Sequence, residues 1–257
     1  MSPIHKTLVE AARSARFEIQ IASLLSRRGL DTGLLQRFHR ISRHIPCLHD
    51  SSHLLQFVAD LLRVTSDVNG CIAEAGCFKG GGTAKLSIVA SVLNRQLVVF
   101  DSFQGLSPNT EPHEANIFGD SIKGRFRTGE FRASLDEVYD SVRMFGGITA
   151  CRFVEGWFQD TLPRFKGPIA GLYLDVDLAS STATCLKYLY PLISHGGLMY
   201  SQDGDFPLVI DIFADHQFWN TQVGCSRPEI VGLGRSKMLK IVKPSCSTDQ
   251  CTSEVDQ

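Results

Sequence analysis

A glycine-rich segment flanked by two acidic residues is the part of this chain that most clearly indicates chemistry. Residues 71–92, CIAEAGCFKGGGTAKLSIVASV, predict a strand, a tight turn and a helix, and QLVVFDSFQG predicts a second strand ending on Asp101. The glycines of the turn, from Gly76 to Gly82, let the backbone approach a ligand closely. A helix N-terminus binds polar ligand groups, and the Asp101 carboxylate suits the hydroxyls of a ribose. The segment therefore predicts a site for NAD, FAD or S-adenosylmethionine.

The spacing of these glycines favours S-adenosylmethionine. The dinucleotide pattern G-x-G-x-x-G is absent, and the chain has E-x-G-x-x-x-G from Glu74 to Gly80 instead. A carboxylate at the strand end repels a pyrophosphate but attracts the sulfonium and ammonium groups of S-adenosylmethionine. An ordinary strand-to-helix turn with extra glycines is the alternative that this segment alone leaves open.

Acidic residues also follow two later predicted strands. Asp175 and Asp177 follow IAGLYL, and Asp203 follows LMYS. Strand ends of a parallel sheet meet at one edge, and carboxylates gathered there repel one another unless a cation or proton lies between them. Asp175 and Asp203 therefore predict a Mg²⁺ site. Asp177 is either the general base that takes a hydroxyl proton or a cap of the helix that follows.

Strands alternate with helices along the chain, which predicts an α/β fold with a doubly wound, mostly parallel sheet. We expect an N-terminal helical cap over residues 1–66, a core domain over 67–245 and a flexible tail over 246–257. Ser134 and Glu137 match a capping box that opens a helix. SSTATCLKYLYPLI predicts a later helix that ends at Gly196 and Gly197, and KMLKIVK predicts the last strand.

Composition limits the function classes. The 257 residues are 43% hydrophobic and carry a net charge of −1, so nothing indicates a nucleic-acid-binding protein. No apolar run approaches the ~20 residues of a membrane span, and the N-terminal residues lack the apolar block of a signal peptide. The eight cysteines form no C-x-x-C pair. We therefore expect a cytoplasmic protein that binds neither nucleic acid nor membrane.

The long segment 103–150 is predicted to be a lid or insertion over the site, since long loops in compact domains are usually functional. It carries a basic cluster with interleaved aromatic residues: Lys123, Arg125, Arg127, Arg132, Phe126 and Phe131. These cations either meet an anionic acceptor or form a solvated surface, and the second interpretation is preferred.

Five segments together resemble the macrocin O-methyltransferase (TylF-like) family of class I S-adenosylmethionine-dependent methyltransferases. They are EAGCFKGGGTA, FDSFQGL, EGWFQDTLP, LYLDVDLASST and YPLISHGGLMYSQDGDF, in the family's order between residues 70 and 206. The resemblance implies a Rossmann-like fold, S-adenosylmethionine and Mg²⁺ as cofactors, and a small-molecule acceptor whose hydroxyl, typically of a sugar in a natural product, is methylated. It leaves homo-oligomerisation open.

The resemblance also implies roles for individual residues. Asp177 corresponds to the general base. The metal ligands are Asp175 and Asp203 with Gln202, which stands where the family has an acid. Gly76, supported by Glu74, corresponds to the contact with the methionine end of the cofactor, Asp101 to the ribose contact, and Ser102 with the segment from Gly156 to Phe158 to the border of the adenine. The implied cofactor-binding residues are Glu74, Gly76, Gly80, Thr83, Asp101, Ser102, Gly156, Trp157 and Phe158.

Two departures from the family pattern keep alternatives open. Val176 replaces a glycine between the two acids, and Gln202 is neutral and binds Mg²⁺ less tightly than an acid. A non-catalytic or metal-independent S-adenosylmethionine-binding protein is therefore the alternative, with Asp205 as a substitute metal ligand. A nicotinamide oxidoreductase is disfavoured, because the G-x-G-x-x-G pattern is absent.

Overall fold

A six-stranded sheet forms the centre of the structure, a computed structural model that describes residues 3–47 and 51–244. The strand order is β3-β2-β1-β4-β5-β6; the first five are parallel and β6 runs antiparallel to β5. This confirms the predicted doubly wound, mostly parallel fold. The strands are β1 Cys71–Ala75, β2 Leu97–Asp101, β3 Cys151–Glu155, β4 Ile169–Leu174, β5 Ile193–Ser201 and β6 Leu239–Val242.

Helices cover both faces of this sheet. They are α1 Pro3–Arg27, α2 Leu34–His44, α3 Ser51–Leu61, α4 Gly81–Val92, α5 Leu135–Phe145, α6 Phe158–Thr161, α7 Ala179–Leu189, α8 Pro207–Ala214 and α9 His216–Phe218. Short 3₁₀ turns follow at residues 148–150, 162–164 and 190–192, and a π-helical turn covers Trp219–Val223. One apolar cluster joins α1 to α5 with one face of the sheet, and a second joins α7 and α8 with the other face.

The N-terminal helices belong to the core layer. The Phe57 ring of α3 lies 5.2 Å from the ring of Tyr173 on β4 and 5.5 Å from that of Tyr200 on β5. Gly171 on β4 makes room for this contact, since a Cβ there would lie 2.7 Å from Leu61. These helices therefore cover the sheet directly, and a domain boundary at residue 66 stays a prediction.

The predicted helix before Gly196 and Gly197 is too long by several residues. Helix α7 ends at Leu189, and β5 already begins at Ile193, which pairs with Ile169. Pro191 has no N–H to continue the α-helical hydrogen bonding, so the chain makes a 3₁₀ turn and enters the sheet. Gly196 and Gly197 thus lie within a strand and do not end the helix.

The segment 103–150 consists of two parts. Helix α5 begins with the predicted capping box: the Ser134 hydroxyl accepts from the Glu137 N–H, and the Glu137 carboxylate accepts from the Ser134 N–H. This helix packs beside α4 as the crossover between β2 and β3. Only the irregular residues 103–133, here called the covering loop, extend over the strand ends.

The predictions about the C-terminal tail and the cysteines concern residues that the structure describes only in part. The predicted tail over 246–257 lies outside them, with Cys246 and Cys251. The six described cysteines are free thiols. Within the described ranges, no helix is long and apolar enough to cross a membrane.

Candidate functional site

The carboxyl ends of the parallel strands are aligned by backbone hydrogen bonds. Gly76 N–H donates to Phe100, Asp175 N–H donates to Ala75, and Gln202 N–H donates to Leu174, at 2.8 to 3.0 Å. The strand order changes direction between β1 and β4, and ligands of such sheets bind at this point. The sheet therefore collects the predicted residues at one edge.

Gly76 and Asp175 face each other across this point. Gly76 has φ +83°, and a Cβ there would lie 1.9 Å from the carbonyl oxygen of Asp175. Only glycine fits this approach, because any side chain would push β1 and β4 apart. Gly76 thus brings the glycine-rich turn against the acidic strand end.

Asp101 joins the two turns that border the site. Its Oδ2 accepts from Cys77 N–H at 2.8 Å, and its Oδ1 accepts from Phe103 N–H at 2.7 Å. The carboxylate is half-buried and lines the cavity described below. It is therefore held rigidly and still faces the space where a ribose would lie.

Glu74 lies behind the glycine-rich turn and is fully buried. Burial raises the pKa of this carboxyl to about 8, although the Thr83 hydroxyl acts in the opposite direction. Its Oε2 has no hydrogen-bond partner among the described residues. Gly80 has φ +80° at the start of α4 and packs against Val138. Glu74, Thr83 and Gly80 thus support the turn from behind.

A cavity of about 840 Å³ opens at the strand ends. Eight of the predicted residues line it: Gly76, Asp101, Ser102, Trp157, Phe158, Asp175, Asp177 and Asp203. The five other predicted residues are not part of its wall: Glu74, Gly80, Thr83, Gly156 and Gln202. Val9, Glu10 and Arg13 of α1 also line the cavity, which the sequence did not indicate.

Asp175, Asp177 and Asp203 form one acidic cluster, with a carboxylate oxygen of each lying within 4.8 Å of the others. Asp203 Oδ2 accepts from the N–H of Val176 at 2.9 Å and of Asp177 at 3.1 Å, which fixes the loop between the acids. Asp177 has φ +60°, so this backbone is strained. Burial raises the pKa of each carboxyl above its usual range, and the Asp203 and Asp175 charges raise that of Asp177 further.

This cluster fits a divalent cation. Three carboxylates at this spacing, of which Asp203 is buried and the other two are half-buried, disfavour one another's ionised form, and a hard cation with oxygen ligands would relieve that repulsion. Asp203 belongs to this cluster, whereas the amide of its neighbour Gln202 is engaged by other residues.

The Gln202 amide is engaged by Tyr173 and His53, which is a correction to its predicted place among the metal ligands. Its Oε1 accepts from the Tyr173 hydroxyl at 3.2 Å, and its Nε2 lies 3.1 Å from His53 Nδ1. Both ends of the amide are thus engaged away from the acidic cluster. Its role here is to satisfy the buried Tyr173 hydroxyl.

Asp177 does not cap helix α7, so that alternative is wrong. Leu178 is the residue before the helix. The N–H groups of Ala179 and Ser180 instead donate to Glu111 of the covering loop, at 2.8 and 2.9 Å. His113 Nε2 lies 3.0 Å from the same carboxylate. No local pattern indicated this cap, because Glu111 is 68 residues from Ala179.

The basic cluster of the covering loop divides between surface and cavity. Lys123 pairs with Glu114 in solvent, as the preferred interpretation predicts. Arg125 lines the cavity, together with Phe126 and Phe131. Arg125 is exposed, as the preferred interpretation predicts, and it also borders the cavity.

Comparison with known proteins gives the family. The model of macrocin O-methyltransferase (TylF) matches residues 52–219. The chain belongs to this family. It is an S-adenosylmethionine-dependent O-methyltransferase, which confirms the resemblance seen in its motifs.

Two characterised relatives methylate natural products. The 8-demethyl-8-(2,3-dimethoxy-alpha-L-rhamnosyl)-tetracenomycin-C 4'-O-methyltransferase of Streptomyces olivaceus is 28% identical over 188 residues, which are 70% of this chain and 69% of the relative. The demethyldecarbamoylnovobiocin O-methyltransferase of Streptomyces niveus is 32% identical over 157 residues, or 59% and 58% of the two chains. The matched regions thus leave about a third or more of each relative uncovered.

Solved structures agree on the fold. The O-methyltransferase NovP superposes with a TM-score of 0.58 at 25% identity, covering 74% of this chain and 78% of its own. The calicheamicin methyltransferase CalS11 gives 0.57 at 21% identity, with 82% and 91% covered. The second likeness concerns the fold alone.

Proposed function

We propose that this TylF-family enzyme methylates a hydroxyl of a sugar or similar small natural-product acceptor, with Mg²⁺ bound at Asp175 and Asp203 and with Asp177 as general base. The observation that carries the proposal is the clustering of these three carboxylates within 4.8 Å beside the cofactor turn. The relatives from Streptomyces support the acceptor class, since the name of one states that it methylates a rhamnosyl-bearing natural product.

The cofactor would lie along the strand ends, between the glycine-rich turn and α6. S-adenosylmethionine supplies the methyl group from its sulfonium centre. Asp101 would accept from the ribose hydroxyls, as a charge-assisted pair worth about 1.5–3 kcal/mol. Trp157 and Phe158 offer apolar surface to the adenine, and Gly76 allows the backbone to approach the methionine end.

The proton of the acceptor hydroxyl would pass to a carboxylate oxygen of Asp177 while the hydroxyl oxygen bonds to the methyl carbon. Asp177 must be ionised for this, yet burial and the charges of Asp203 and Asp175 raise its pKa. A bound Mg²⁺ would supply the compensating positive charge and lower the pKa of the hydroxyl. The covering loop and α1 would exclude water from the same cavity.

Calorimetric titration tests this proposal directly. Wild type should bind S-adenosylhomocysteine, and Asp101→Asn should weaken that binding by roughly tenfold or more. Asp175→Asn should lose Mg²⁺ binding and keep the cofactor. Asp177→Asn should keep cofactor binding and lose methyl transfer. Asp211→Asn, an exposed acid on α8 outside the cavity wall, is the matched control.

A metal-independent enzyme is the second candidate, because Gln202 supplies no charge where the family has an acid. Cofactor binding and methyl transfer that continue in the presence of a chelator would support it and contradict the Mg²⁺ assignment. The cytoplasmic location expected from the cysteine pattern stays a prediction.

A further inference from the structure

A buried carboxylate oxygen in the cavity has no hydrogen-bond partner among the described residues. Asp205 is 4% exposed, and it lines the cavity two residues after Asp203. Its Oδ1 makes no hydrogen bond with any described residue. A buried carboxylate oxygen that makes no hydrogen bond costs about 1–3 kcal/mol, so such an atom at a cavity wall indicates a missing donor from a ligand.

The surroundings of Asp205 hold it in place from the other sides. Its Oδ2 lies 3.4 Å from the Asn116 amide nitrogen, and its carbonyl accepts from Ile117 N–H at 2.9 Å, both in the covering loop. Lys237 Nζ lies 3.9 Å from Oδ1, beyond hydrogen-bond distance. Asp205 and Lys237 therefore present an acceptor and a donor to the same point of the cavity.

An aromatic wall adjoins this pair. Phe206 follows Asp205 directly, its ring lies 5.0 Å from that of Phe126, and both line the cavity. Lys237 Nζ lies 5.6 Å from the centre of the Phe206 ring. A few fixed polar groups beside apolar surface suit a ligand with hydroxyls on a ring.

We propose that Asp205 and Lys237 bind a second hydroxyl of the acceptor, adjacent to the one that is methylated, so that the acceptor is a sugar with vicinal hydroxyls. The inference rests on the proposed function and extends it. Asp205 accepts the hydrogen bond of the second hydroxyl, and Lys237 donates to the oxygen of that hydroxyl. Asp205 lines the same cavity as Asp177 and Asp203, so one ring can present one hydroxyl to the acidic cluster and a second hydroxyl to Asp205.

The charge balance of the cavity favours a neutral acceptor of this kind. Seven acidic and four basic side chains line it: Glu10, Asp101, Asp120, Asp175, Asp177, Asp203 and Asp205, with Arg13, Arg125, Arg235 and Lys237. With all of these groups ionised, their formal charges sum to −3. S-adenosylmethionine carries +1 and Mg²⁺ carries +2, so the two bound together neutralise the charge of the cavity wall. The loaded cavity thus has no excess positive charge to attract an anion.

Ligand-detected NMR on the complex with S-adenosylhomocysteine and Mg²⁺ tests the subsite. The probe is methyl α-L-rhamnopyranoside, in which every hydroxyl has a hydroxyl neighbour, with its monodeoxy analogues. We expect Asp205→Asn to weaken binding of the parent sugar by roughly tenfold. One monodeoxy analogue should bind wild type at least as weakly, with no further loss in Asp205→Asn, because the analogue lacks the hydroxyl that Asp205 accepts from. Asp211→Asn should behave as wild type.

Several outcomes would overturn this subsite. One is that the wild-type complex fails to bind the parent sugar, another is that Asp205→Asn binds it as tightly as wild type does, and a third is that all monodeoxy analogues lose affinity equally. Loss of Mg²⁺ binding in Asp205→Asn would also overturn it, because Asp205 would then be a metal ligand. The proposed function fails differently. In that case the wild-type complex binds the sugar, but no S-adenosylhomocysteine forms from S-adenosylmethionine with any hydroxyl-bearing acceptor.

Discussion

The Glu111 carboxylate accepts a hydrogen bond from the backbone N–H of Ala179, at 2.8 Å, and so fastens the covering loop to the helix that begins just after Asp177. Burial alone would raise the pKa of Glu111, but hydrogen bonds from Ser180, Ala179 and His113 outweigh it, and its pKa lies below its usual range. The anion therefore stabilises the positive end of α7 and the position of the loop together.

Glu111→Ala should lower the free energy of unfolding by about 1–3 kcal/mol, because two N–H groups lose a charged acceptor. It should also slow methyl transfer more than it weakens S-adenosylhomocysteine binding, since Glu111 fastens the loop to the helix that begins beside the acidic cluster. Urea unfolding measures the change in stability. A methyl-transfer assay gives the rate, and calorimetry gives the affinity for S-adenosylhomocysteine.

The control for Glu111 is Glu114→Ala. Glu114 pairs with Lys123, and both side chains are about two-thirds exposed or more, at 67% and 72%. Such a pair contributes about 0–1 kcal/mol, so this variant should behave nearly as wild type. Equal losses for the two variants would show that Glu111 has no special part in holding the loop.

Gly76→Ala should abolish cofactor binding or prevent folding. A Cβ at Gly76 would lie 1.9 Å from the Asp175 carbonyl oxygen, and backbone on both strands would have to move. Gly119→Ala is a matched control: its φ is +86° against +83°, but nothing lies within 4 Å of its Cβ position. The control should cost only the strain of positive φ, about 1–2 kcal/mol. Thermal unfolding and calorimetry separate the two, and similar behaviour would refute the close-approach argument.

Gln202→Met should leave Mg²⁺ affinity within about twofold of wild type and lower the free energy of unfolding by about 1–3 kcal/mol. The substitution keeps the volume but leaves the buried Tyr173 hydroxyl without its acceptor. Asp203→Asn, one residue along the chain, should show a large loss of Mg²⁺ affinity. A similar loss in Gln202→Met would restore Gln202 as a metal ligand.

Glu74→Gln should change how stability depends on pH. The folded pKa of Glu74 is about 8, above the unfolded value near 4.5, so its contribution to stability is fully present below about pH 4.5 and is lost as pH rises through 8. The loss is at most about 1.4 kcal/mol per pH unit for one proton. Glutamine does not titrate, so urea unfolding at about pH 6 and about pH 8 should favour the variant increasingly at the higher pH.

Parallel pH profiles for wild type and Glu74→Gln would contradict the buried-carboxyl argument. Glu155→Gln at the exposed end of β3 is the control, and it should leave the profile unchanged.

The sequence alone indicated the parallel sheet, the glycine-rich turn and the acids at the strand ends, because each depends on patterns within a few residues. The capping box at Ser134 is local in the same way, and it is present as predicted. The end of α7 was placed too late, since a proline-containing stretch after a helix is compatible with either a longer helix or an early strand. Only pairing of Ile193 with β4 decided between them.

Tertiary structure decided which side chains share the cavity. Gln202 and Asp203 are adjacent in sequence just after β5, yet one satisfies Tyr173 and the other joins the acidic cluster, because each meets a different set of distant residues. Glu111 caps a helix far along the chain, and Lys237 meets Asp205 from the turn before β6. Such contacts depend on how distant segments pack, and no local pattern of residue types specifies that packing.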